Sequence, residues 1–165
     1  MTSKKTNKLV MLAILIAINT ILTKLVGVYG LAPISSVMNM MCAILIGPAY
    51  TTLMAAAAAL LRVLLLGSSI ITIPGAVFGA ALAGIFYKLY PRISSSIVGE
   101  FIGTGIIGAL VSAWLISGDA SNLFVFMPSF IGACIIGAII TFPVVKALEV
   151  RGVTQRMREV FSDEL

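Results

Sequence analysis

Apolar residues run along this chain in six blocks, separated by short polar or Gly- and Pro-marked breaks. The blocks cover residues 9–23, 34–45, 50–66, 72–87, 94–116 and 123–147. Lys4, Lys5 and Lys8 precede the first and Lys24 closes it. The breaks are Val26 to Pro33, Gly47-Pro48, Gly67-Ser68-Ser69, a charged turn from Lys88 to Arg92 that contains Pro91, and a polar turn from Gly118 to Asn122. From Glu149 onward the chain becomes a charged amphipathic tail. A helix that crosses a bilayer needs about 20 apolar residues, and Gly and Pro end such runs, so the pattern predicts six membrane helices. The second to fourth blocks are short for a full span and are expected to tilt little or to bend into the outer interface. The first block is not followed by a small-x-small cleavage site and a polar mature chain, so it reads as a helix rather than a signal peptide.

Composition sharpens this picture. Of 165 residues, 60% are hydrophobic and only 10% charged, with mean hydropathy +1.14. A soluble domain carries about 25% charge, and a soluble fold with so little polar surface would expose large apolar patches. The solvent is therefore lipid, and residues 1–165 form one all-α integral membrane domain. The chain has no histidine, which removes the commonest general base and metal ligand. Cys42 and Cys134 lie far apart in apolar blocks and read as small buried hydrophobes rather than a disulfide or metal site. There is no G-x-x-x-x-G-K-[ST] nucleotide loop, no Ser/His/Asp set, no metal cluster and no acidic pair for acid–base work. Neither an enzyme nor a bound cofactor is expected. The net charge of +5 is no nucleic-acid signal, because the basic residues gather at membrane edges.

Those basic residues also orient the chain. With six spans and an inner N-terminus, Lys4, Lys5, Lys8, Lys88, Arg92, Lys146, Arg151, Arg156 and Arg158 fall on the cytoplasmic side, which is nine of the 11. Only Lys24 falls outside, and Arg62 lies within the membrane. Five spans would put the two terminal clusters on opposite faces. Both termini are therefore expected in the cytoplasm. Helices two, four and six then begin outside, where their free N–H groups carry partial positive charge. Ser35 or Ser36, Thr72, and Ser121 or Asn122 are the candidate caps. Three such ends could converge on an outer polar pocket, or could simply be capped helices at a water interface.

Arg62 and Glu100 are the ionisable residues well inside the spans. A charge at such depth costs at least about 2.5–3.5 kcal/mol and faces a partner or a cavity. Two compatible roles are open: a buried pair that fixes helix three against helix five, or a substrate lining. Asn39, mid-span on helix two, must find hydrogen bonds, either across helices or to a ligand. Tyr50 and Trp114 read as interfacial anchors, and Trp114 could equally wall an aromatic pocket. Met38, Met40 and Met41 read as packing. Gly75-x-x-x-Gly79 and Gly99-x-x-x-Gly103 permit close helix contact. Together these place a candidate site in the outer half, lined by Asn39, Arg62, Pro74, Gly75 and Trp114, with Glu100 and Thr104 deeper.

The block Asn39…Gly47-Pro48-x-Tyr50…Arg62…Pro74-Gly75-x-x-x-Gly79-Ala80-x-x-x-Gly84, followed by Gly99-Glu100-x-x-Gly103-Thr104-Gly105, resembles the ThiW family. The resemblance covers most of the chain. It departs from the family pattern at Ser36, where a histidine is frequent, and at Val63, where an asparagine often follows the arginine. The resemblance implies an S component, the substrate-binding subunit of an energy-coupling factor transporter in a prokaryotic plasma membrane. Such a subunit has six helices, binds its ligand from outside, and works with a transmembrane coupling subunit and two ATPases. For ThiW the implied ligand is hydroxyethylthiazole, the thiazole precursor of thiamine. S components also tend to carry an Ala-x-x-x-Ala face on helix one that meets the coupling subunit, and Ala13 and Ala17 match it. The rival readings are a self-sufficient carrier, proton-coupled through Glu100, an S component for another vitamin, and a structural subunit of a membrane complex.

Overall fold

The computed structural model describes residues 2–26, 32–119 and 122–161, with side chains from residue 5 onward. The connection over 27–31 and the candidate cap Ser121 lie outside the described residues. Among the described residues the chain is helical throughout, without strands. Five continuous stretches of helix are long and apolar enough to cross a membrane. The longest, Pro33–Leu66, is broken at Gly47, whose φ of 80° and ψ of 172° are non-helical. We therefore number α1 Thr2–Leu25, α2 33–46, α3 48–66, α4 Thr72–Leu89, α5 Ile93–Ser117, α6 Leu123–Val150 and α7 Val153–Val160.

The break between α2 and α3 follows from two neighbouring residues. Glycine adopts the positive φ without steric cost. Pro48 has no N–H to continue the ladder and disfavours helical geometry in the residue before it. The chain turns back on itself, so that the Arg62 side chain on α3 reaches Ser35 on α2. Because Pro48 has no N–H, the Ile44 carbonyl one turn earlier loses its usual partner. Arg158 on α7 supplies one, its Nε donating at 3.1 Å. Phe161, just beyond α7, is fully buried with its ring edge-on to Tyr50 at 5.0 Å. Lys8 near the start of α1 stands 6.0 Å from the same Tyr50 ring. Both terminal segments thus gather at the Gly47 end of the bundle.

Within lipid no hydrophobic effect pulls helices together, and close packing must do so. The helix faces supply it with small residues. Ala55 and Ala59 on α3 pack against Ala76 and Ala80 on α4. On α5, a Cβ at Gly99 would fall 2.3 Å from the Leu82 carbonyl oxygen, and one at Gly103 2.3 Å from that of Phe78. Side chains at either position would push α5 off α4. Directly after Glu100, residues Phe101–Gly108 of α5 wind as a π-helix, with three glycines in eight residues. Such i→i+5 stretches are rare and often mark functional sites. Cys42 and Cys134 are buried free thiols, in keeping with their reading as small hydrophobes.

The helix starts differ from expectation. Pro33 occupies the first turn of α2, where its missing N–H costs nothing, and the N-cap is Ala32. Ser35 and Ser36 are inside the helix and buried. Thr72 bonds back to the Ser69 carbonyl rather than forward into α4. Asn122 stands at the cap position of α6, but its amide donates to the Ser117 hydroxyl and makes no cap bond.

Candidate functional site

Five helices converge on a small buried chamber of about 40 Å³ near the end of the bundle away from Gly47. From α2 come Ser35, Ser36 and Asn39, spaced to share one face of a helix. Arg62 comes from α3, Thr72, Gly75 and Ala76 from α4, Glu100 and Thr104 from α5, and Phe130 and Ala133 from α6. Above the chamber lies a wider vestibule of about 640 Å³, lined among others by Lys24, Ser68, Ser69, Phe126 and Ser129. Ala32, Arg62, Thr72 and Phe130 border both spaces and so form the mouth between them.

The floor of the chamber is a hydrogen-bonded cluster. Asn39 Nδ2 donates to the Ala76 carbonyl at 3.1 Å and to Glu100 Oε1 at 3.3 Å. The Thr104 hydroxyl lies 2.8 Å from the Gly75 carbonyl and 2.9 Å from Glu100 Oε1. Gly79 makes room for this: a Cβ there would sit 2.0 Å from Thr104 Oγ1 and 2.6 Å from Glu100 Oε2. Two oxygens remain without a partner, Asn39 Oδ1 and Glu100 Oε2. Asn39 and Glu100 are 1% and 0% exposed. Unpartnered polar atoms at that depth are costly.

At the mouth the chemistry reverses to donors. Arg62, 3% exposed, donates from Nη1 to Asn19 Oδ1 at 3.1 Å and from Nη2 to Ser35 Oγ at 3.5 Å. Its partners are therefore these neutral groups, while Glu100 is held by Asn39 and Thr104 with the Ser36 hydroxyl beside it. The two charges share one chamber without pairing. A guanidinium offers five N–H donors, so Arg62 retains capacity toward a ligand.

Of the expected site residues, Asn39, Arg62, Gly75, Glu100 and Thr104 come together in the chamber lining. Pro74 is buried in the first turn of α4 but does not line it. Trp114 stands apart at 64% exposure, and the aromatic wall is Phe130 instead. Ala13 and Ala17 are exposed on α1, beside Val10, Ile14, Ile18 and Ile21, which are exposed as well.

Asn19 was not among the expected residues. It is fully buried on α1, accepts from Arg62 and from Thr23 Oγ1 at 2.9 Å, and donates to Met54 Sδ at 3.1 Å. The sequence signal is present: Asn19, Thr20 and Thr23 are the polar residues of an otherwise apolar run, and the spacing of Asn19 and Thr23 places them on one helix face. Phe130 carries no such signal, because α6 is apolar on every side.

A lipid-embedded helical bundle whose buried polar groups converge on a chamber open through a vestibule at one end defines a membrane transport protein that holds a small ligand. Residues 9–151 match the family described as Thiamine-precursor transporter protein (ThiW). The chain belongs to that family, and is a multi-pass membrane transporter of thiamine precursors, not an enzyme. Comparison with curated proteins and with solved structures returned no match.

Proposed function

We propose that this chain is the substrate-binding S component of an energy-coupling factor importer. In this reading it captures hydroxyethylthiazole from outside and passes it inward through a transmembrane coupling subunit driven by two ATPases. The observation that carries the reading is the chamber itself, with donors at its mouth, unpartnered oxygens sealed beneath it and a vestibule leading to it. The opposite end is covered by the Gly47-Pro48 turn and α7. A protein that binds from one side and depends on partners for release suits that shape. The charge distribution supports the orientation. Lys8, Lys88 and Arg158 stand at the covered end with the start of α1 and with α7, and Lys24 borders the vestibule. With basic residues retained in the cytoplasm, the chamber opens outward. The exposed Ala13–Ala17 face on α1 supports docking of the coupling subunit there, since small residues let a partner helix approach closely.

The experiment is binding and transport on one preparation. The purified protein alone should bind the thiazole alcohol, and uptake into liposomes should require the coupling subunit, both ATPases and ATP. Glu100 at the chamber floor gives the proton-coupled carrier reading its own observation. Uptake by the protein alone, driven by a proton gradient, would establish that reading and end the S-component proposal.

A further inference from the structure

We infer that the ligand enters hydroxyl-first, with its alcohol group donating to Asn39 Oδ1 or Glu100 Oε2, which lie sealed just behind the chamber lining and turn toward the ligand on binding, and its aromatic ring left at the mouth against Phe130 and Arg62. This rests on the thiazole alcohol being the ligand, and adds to it an orientation and a selectivity.

Size is the first argument. A water-sized probe needs about 10–15 Å³ of such volume, so a chamber of about 40 Å³ holds a short polar limb and not a substituted ring. The ring must remain where the chamber meets the vestibule, and Phe130 borders both spaces.

Hydrogen-bond capacity is the second. Both amide protons of Asn39 are in use toward Ala76 and Glu100. The Ala76 carbonyl only accepts, so it fixes the amide with Nδ2 toward it and leaves Oδ1 as an acceptor. Glu100 Oε2 is an acceptor when the carboxyl is ionised and can donate when it is protonated. A hydroxyl serves both states: it donates to either oxygen, and it can accept from the protonated acid while donating to Asn39. An azole nitrogen only accepts, and leaves Asn39 Oδ1 unpaired in either state. The nitrogen suits the mouth, where Arg62 offers donors. A phosphate ester of the same alcohol fails on both counts. It is larger, and it sets an anion against the Asn39 and Glu100 oxygens.

The test uses the full-length protein and four probes in a binding titration: 4-methyl-5-(2-hydroxyethyl)thiazole, 5-ethyl-4-methylthiazole, the O-methyl ether of the alcohol, and its phosphate ester. Loss of the donor should weaken binding about ten- to hundredfold for the ethyl compound and the ether, the usual range for a buried polar group left unmatched, and the phosphate should not bind. In the Asn39→Ala, Glu100→Ala double variant the gap between alcohol and ethyl compound should shrink, and in Arg62→Lys it should persist. Equal binding of alcohol and ethyl compound by the wild-type protein, or tight binding of the phosphate, overturns the orientation while leaving the ligand assignment intact. A gap that vanishes in Arg62→Lys and persists in the Asn39→Ala, Glu100→Ala double variant shows the reverse orientation. If neither alcohol nor ethyl compound binds, the ligand assignment itself is wrong and the orientation falls with it.

Discussion

Gly79→Ala tests the built floor of the chamber with a single methyl group. The added Cβ would lie 2.0 Å from Thr104 Oγ1, 2.6 Å from Glu100 Oε2 and 2.9 Å from Glu100 Cδ. Both side chains must move, and Thr104 then loses its bonds to the Gly75 carbonyl and to Glu100. The single Thr104 hydroxyl proton shared by these two acceptors is worth about 0.5–1.5 kcal/mol net, and overpacking a tight site adds about 1–3 kcal/mol. Against this stands the better helix propensity of alanine, about 1 kcal/mol. The net expectation is a loss of about 0.5–3.5 kcal/mol in stability, with ligand affinity falling as the floor rearranges. Gly75→Ala, one turn earlier on the same helix, is the control. Its Cβ meets Phe130 at 3.4 Å and Thr104 Cγ2 at 3.5 Å, which is ordinary contact, so stability should change by less than about 0.5 kcal/mol from packing. Thermal unfolding in detergent and ligand titration on both variants separate the cases. Adding Thr104→Ala to Gly79→Ala should recover part of the loss, because it removes the closest clash. If Gly79→Ala melts and binds like wild type, or melts no lower than Gly75→Ala, the packing of Glu100 and Thr104 against α4 is not what shapes the chamber.

Asn19→Ala removes the main acceptor of a buried guanidinium and should cost about 1.5–3 kcal/mol, measured as lower thermal stability together with weaker ligand binding; an unchanged protein would mean Arg62 finds its partner elsewhere. Arg158→Ala leaves the Ile44 carbonyl without its donor and should lower stability by about 1–3 kcal/mol while ligand affinity holds, since the site is at the other end of the bundle. In a Cys-free background, Ser69→Cys should react with an impermeant thiol reagent on intact cells and Gln155→Cys, also exposed, should not; the opposite pattern inverts the topology. Ala17→Trp should abolish ATP-driven uptake and pull-down of the coupling subunit with ligand affinity nearly unchanged, because Ala17 is exposed and does not line the chamber; joint loss of stability and binding would place that face inside the bundle instead.

Much of the architecture was written in local features of the chain. The six apolar blocks became six helical limbs, because spanning length and backbone punctuation are properties of contiguous residues. Gly47-Pro48 marked the reversal between α2 and α3 since only glycine takes that φ freely and only proline lacks the donor. Arg62, Asn39 and Glu100 stood out as site residues because polar groups inside lipid must face inward. What remained for the folded bundle to decide was which residues meet. Arg62 turned to Asn19 rather than to Glu100, Ser35 and Ser36 faced the chamber rather than capping a helix, and Phe130 took the wall that Trp114 could have formed. A helix in water shows its inner face by an apolar stripe. A helix in lipid is apolar all round, so its rotation is set by close contacts such as Gly79 against Thr104 and Gly103 against the Phe78 carbonyl, which exist only once the helices are packed.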